Sequence, residues 1–97
     1  MKIQTDKVQK DDRYNKAKVL LENEQLKTLD DLYNILPKSV IAVGLGMNPT
    51  RFSNYKSKSP GQFKLEELIL LAEQMDTDLL LLVSLFRNTI DKIKEKQ

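Results

Sequence analysis

Residues 37–64, PKSVIAVGLGMNPTRFSNYKSKSPGQFK, carry five basic side chains, Lys38, Arg51, Lys56, Lys58 and Lys64, and no Asp or Glu. Such a stretch is suited to binding anions, because ammonium and guanidinium groups neutralise phosphates and the polar side chains between them add hydrogen bonds. The chain's modest net charge of +2 hides this segregation: residues 1–36, 37–64 and 65–97 carry 0, +5 and −3. All three Gly and all three Pro also fall between positions 37 and 61, so the basic stretch coincides with the turns of the chain. A basic surface built on a small-residue turn points towards nucleic acid.

Several other chemistries are excluded. The chain has no Cys and no His, which removes disulfides, thiolate metal sites, thiol nucleophiles and the commonest metal ligand and general base. No phosphate-cradling Gly loop or HExxH-type spacing is present, so catalysis, a metal and a cofactor are not expected. The longest apolar runs, residues 68–72 and 79–83, are five residues each, against the roughly 20 that span a bilayer. The opening MKIQTDKVQKDDR has no apolar core of a signal peptide, and a cytoplasmic protein is expected.

The elements that must position the basic stretch are helices. At 97 residues the chain is expected to form one domain, and its Leu-rich, β-branched-poor apolar set favours an all-α fold of five to six helices. Residues 1–11 are too polar to bury much surface and are expected to form a mobile arm, with the single domain at 12–97. Tyr14, Ala17, Leu20 and Leu21 give the first helix one apolar face. Thr28 and Asp31 have capping-box spacing before Leu29, Leu32, Tyr33 and Leu36, and Pro37 ends that helix. Residues 38–45 form a short helix stopped by Gly46 in a left-handed conformation. Asn48 and Pro49 then serve as N-cap and first residue of another helix, expected over 49–57, with Phe52 and Tyr55 apolar.

After a loop at 58–63, Leu65, Leu68, Ile69, Ala72 and Met75 are expected to form a buried stripe, with Glu66 and Glu67 by the positive end of their helix. Asp76 takes a left-handed turn, and Asp78 caps a long last helix at about 79–95. One face of that helix is Leu79, Leu82, Val83, Phe86, Ile90 and Ile93. Leu80, Leu81 and Leu85 lie off it and are expected to form an interface between two copies of the chain.

A short helix, a Gly turn and a second helix with polar outward residues is the arrangement of a helix-turn-helix, with Ala42, Gly46, Met47 and Phe52 as its steric fixtures. The runs SVIAVGLGMNPTRFSNYKS and FKLEELILLAEQMDTDLLLL resemble the phage-repressor-like (lambda repressor/Cro-type, XRE) helix-turn-helix family over residues 28–85. The pattern IxPKSVxAxxLGM further resembles small repressor-like proteins of bacteria. The resemblance implies a lambda-repressor-like all-α domain, with its motif at about 38–57, that binds double-stranded DNA.

Residue by residue, the resemblance puts Thr50, Ser53 and Asn54 on the outer face of a recognition helix. Asn54 suits an adenine edge, and Arg51 suits guanine or phosphate. Lys38, Asn48, Lys56 and Lys58 fall where the resembling proteins touch the sugar–phosphate strand. Pro49 and Gly44 depart from the family pattern, and Gly44 is expected to weaken its helix by roughly 1 kcal/mol relative to Ala. A dimer would set two recognition helices roughly 34 Å apart. The alternative is an interaction module of antitoxin or adaptor type, which keeps the fold and grips a protein partner through the Leu-rich last helix.

Overall fold

The computed structural model describes residues 11–96, so the expected arm lies outside the described residues apart from Asp11. Six α-helices follow in order, α1 (Asp12–Glu22), α2 (Leu29–Ile35), α3 (Lys38–Gly44), α4 (Pro49–Asn54), α5 (Leu65–Met75) and α6 (Leu79–Glu95). Two 3₁₀ turns, Lys56–Lys58 and Pro60–Gln62, link α4 to α5, and there is no strand among the described residues.

Local chemistry sets most of the boundaries. The Asp11 carboxylate accepts the Arg13 backbone N–H at 2.9 Å and starts α1. Thr28 and Asp31 form the full capping box of α2, and the Asp31 carboxylate also accepts the Lys27 N–H at 2.9 Å. Leu36 is extended at φ −118°, ψ 96°, as the residue before a proline must be. Asp76 ends α5 in the left-handed region at φ 57°, and Asp78 starts α6 by accepting the Leu80 N–H at 2.9 Å. Lys64 offers no side-chain cap to α5; instead Glu67 reaches back to accept the Lys64 N–H at 2.8 Å.

The helices enclose one core, whose largest fully buried side chains include Leu29, Leu32, Leu36, Ile41, Phe52, Leu71, Met75, Leu82 and Leu85. Two expected apolar faces are rotated. On α5 the buried residues are Leu71, Ala72 and Met75, while Leu65 and Ile69 are 63% and 40% exposed. On α6 they are Leu82, Leu85 and Phe86, while Val83 and Ile93 are exposed. An unbroken apolar run has no polar residue to mark its phase, so tertiary contact decides which members face inward.

α6 is also tied to the start of α2 by hydrogen bonds. The Thr89 hydroxyl accepts the Leu29 N–H at 2.8 Å and donates to the Leu85 carbonyl, and the Asn88 amide donates to the Lys27 carbonyl at 2.8 Å. Among the described residues no helix is long and apolar enough to cross a membrane.

Candidate nucleic-acid interface

α3 is held from both sides. Ile41 and Ala42 are buried, and the Gln74 amide on α5 donates to the Gly44 carbonyl, an orphan acceptor at the helix end. A Cβ at Gly44 would come within 2.6 Å of both Gln74 Oε1 and Tyr14 Oη, so the glycine leaves room for this contact. The chain then turns tightly, with the Met47 N–H bonded to the Ala42 carbonyl at 2.8 Å and Gly46 at φ +74°. Asn48 Oδ1 accepts the Arg51 N–H at 3.0 Å, Pro49 supplies the first helical residue, and Phe52, 1% exposed, anchors α4.

α4 is shorter than expected. It ends at Asn54, and residues 56–58 wind into a 3₁₀ turn in which the buried Ser57 hydroxyl donates to the Ser53 carbonyl at 2.9 Å. Of the four sequence-predicted readers, Thr50, Arg51 and Asn54 are exposed and Ser53 is half-buried. At 100° per residue, Thr50 and Asn54 lie within about 40° of one another, with Arg51 about 60° further round. These three form one polar strip along the outside of the helix.

The phosphate-contact set divides. Asn48 and Lys58 are exposed, and Lys38 is half-buried with its ammonium 5.3 Å from the centre of the Tyr33 ring. Lys56 is placed differently from these. Its Nζ lies 2.8 Å from Glu67 Oε1, 3.3 Å from the Gln62 carbonyl and 5.2 Å from the centre of the Phe63 ring, so its charge is engaged within the fold. Burial raises the Glu67 carboxyl, but hydrogen bonds from Lys56 and the Lys64 N–H outweigh it and leave the group below its ordinary value. The acid-free stretch is thus partly neutralised by an acid just beyond its end.

The three leucines expected at a copy-to-copy interface are buried to different degrees. Leu80 is 71% exposed, but Leu81 is half-buried against the core and Leu85 is 1% exposed, so Leu85 is unavailable to a partner. The exposed large apolar side chains of this hairpin are Leu65, Ile69 and Leu70 on α5 with Leu80, Val83 and Ile93 on α6.

Behind α4 runs an aromatic row, Tyr33–Phe52–Phe63–Phe86, in edge contacts with centroids 6.4, 5.9 and 4.8 Å apart. Burial pushes the Tyr33 phenol well above its ordinary value, and its hydroxyl has no hydrogen-bond partner among the described residues. Beside α4 an open groove of about 480 Å³ is lined by Met47, Asn48, Arg51, Phe52, Tyr55 and Gln62, among others. Tyr55, expected with Phe52 on the helix's apolar edge, is 70% exposed and stands in its wall.

Sequence reasoning missed this groove and the role of Gln74. The signal for Gln74 was a polar side chain placed between Leu71 and Met75 on the buried side of α5. Among the described residues, no group of three or more carboxylates is gathered as a metal would require. Comparison with protein-family models, with curated proteins and with solved structures finds no match to this chain.

Proposed function

We propose that this chain is a cytoplasmic DNA-binding regulator of repressor-like, helix-turn-helix type, acting by docking rather than by catalysis. α4 enters the major groove, where Thr50, Arg51 and Asn54 meet base edges. Asn48, Lys38 and Lys58 hold the sugar–phosphate strands. The observation that carries this reading is the exposed strip of Thr50, Arg51 and Asn54 on a capped helix inside a segment without acid. The protein works as a homodimer, which matches two recognition helices to two half-sites roughly 34 Å apart.

The test is fluorescence anisotropy of labelled duplexes drawn from a random-sequence pool. Affinity should fall steeply from about 50 to about 200 mM salt as counterions are released. Absence of any shift at the lower salt sinks the DNA reading.

A second reading rests on the six exposed large apolar side chains of the α5–α6 hairpin, Leu65, Ile69, Leu70, Leu80, Val83 and Ile93. They suit an antitoxin- or adaptor-like module that grips another protein. Retention of one stoichiometric partner, with no retention on DNA, favours it.

A further inference from the structure

The groove beside α4 shares Arg51 with the strip proposed to meet DNA bases and adds an apolar and aromatic lining. Met47 and the buried Phe52 supply apolar lining, Tyr55 adds an exposed aromatic wall, and Arg51, Asn48 and Gln62 supply polar groups. Phe52 is braced edge-on by Tyr33 and Phe63, so that part of the lining is fixed by packing. No acidic side chain among the described residues lines the groove. Of its two cations, Lys56 is paired with Glu67, whereas Arg51 has no ion-pair partner among the described residues. The volume of about 480 Å³ falls within the roughly 300–1,000 Å³ of small-molecule clefts.

We infer that this groove is a binding site for a small planar aromatic anion, with its ring against Tyr55 and the Met47–Phe52 lining and its carboxylate or sulfonate on Arg51. The guanidinium holds an oxyanion through paired N–H groups, and the Asn48 and Gln62 amides are at hand for further donation. Charge selects the ligand, because a neutral ring of the same shape leaves Arg51 unanswered. One consequence rests on the DNA reading above: Asn48 and Arg51 serve both ligands, so an occupied groove excludes duplex.

The test is a ¹⁵N–¹H NMR titration of the full chain with 2-naphthoate and, separately, with neutral 2-naphthalenemethanol. Support is a set of shifts confined to residues 47–62 and the Arg51 side-chain N–H, with naphthoate binding roughly three- to tenfold tighter than the alcohol. Arg51→Gln should erase that preference, and Tyr55→Ala should weaken both ligands. Both replaced side chains are exposed, and the variants' amide spectra report directly whether the fold is kept. Equal affinity for acid and alcohol overturns the site, as do shifts centred on Leu65, Ile69 and Leu80.

Anisotropy with duplex then tests exclusion. Naphthoate should lower duplex affinity, and unchanged affinity at saturating naphthoate overturns that clause. If the titration succeeds while no duplex binds at all, the DNA reading fails and the groove stands.

Discussion

The side-chain amide of Gln74 donates a 2.6 Å hydrogen bond to the carbonyl of Gly44, joining α5 to the end of α3 across 30 residues of sequence. An alanine in an open helix is worth roughly 1 kcal/mol over glycine, but here its methyl would strike the Gln74 and Tyr14 oxygens. Gly44→Ala is therefore expected to destabilise by about 1 kcal/mol, and Gln74→Ala by about 1–3 kcal/mol through the orphaned carbonyl. Once Gln74 is alanine only the Tyr14 hydroxyl still meets the added methyl, so adding Gly44→Ala to that variant should cost less than it does in the parent. Urea unfolding of the four-member cycle checks this difference.

Lys56 and Glu67 are expected to govern stability rather than DNA affinity. Their side chains are 21% and 16% exposed, and Lys56 also reaches the Gln62 carbonyl and the Phe63 ring. Lys56→Ala should cost about 1–2 kcal/mol by thermal or urea unfolding, with duplex affinity unchanged. A loss of affinity equal to that of Lys58→Ala would return Lys56 to the phosphate-contact set.

Acid should unfold the protein through a few identifiable carboxylates. The Arg13 side chain and backbone N–H hold Asp11 at about 2, the Lys27 and Thr28 N–H groups lower Asp31, and Glu67 is lowered despite its burial. Each has a folded value below its ordinary 3.8 or 4.5, so its contribution is complete above the ordinary value and is lost as pH falls through the folded one. With no histidine side chain, the unfolding midpoint should hold between about pH 5 and 8 and fall below about pH 4.5. Asp31→Asn should flatten that acid limb while lowering the plateau; an unchanged limb would show that the capping box does not couple to pH.

On DNA, Lys58→Ala is expected to weaken all sequences alike and to reduce the salt slope by about 0.9. Asn54→Ala should cost about 1–3 kcal/mol at the preferred site alone. Anisotropy on preferred and scrambled duplexes separates the two effects, and a uniform loss with Asn54→Ala would make it a strand contact instead of a reader.

The leucines of α6 should respond very differently from one another. Leu85→Ala, in the core, is expected to cost about 2–5 kcal/mol, whereas Leu80→Ser, on the surface, should stay within about 0.5 kcal/mol of the parent. If two copies meet through this hairpin, sedimentation equilibrium should show that Leu80→Ser shifts the protein towards monomer at unchanged fold.

Features resting on neighbouring residues were legible in the sequence. Asp11, Thr28 with Asp31, Asn48 with Pro49, Asp76 and Asp78 start or stop the helices where their side chains and backbone preferences require. The all-α architecture followed from helices bounded in this way. The phase of the Leu-rich runs did not, because Leu80, Leu81 and Leu82 differ in burial only through what packs against them. The fate of Lys56 was equally hidden, since its partner Glu67 lies 11 residues on and across two turns. Thr50, Arg51 and Asn54 were found by type, but the groove between Arg51 and Gln62 exists only once the 3₁₀ turns bring Ser59 and Gln62 alongside α4.

Thr89 and Asn88 bear on the order in which the molecule can be assembled. The N–H that opens α2 and the carbonyl two residues before it find their partners 60 and 61 positions downstream. A nascent chain can wind its individual helices as they emerge, but this junction stays open until residue 89 has left the ribosome. Closure of this junction therefore waits for α6, and any translational stall short of Asn88 leaves the Leu29 N–H and the Lys27 carbonyl without these partners.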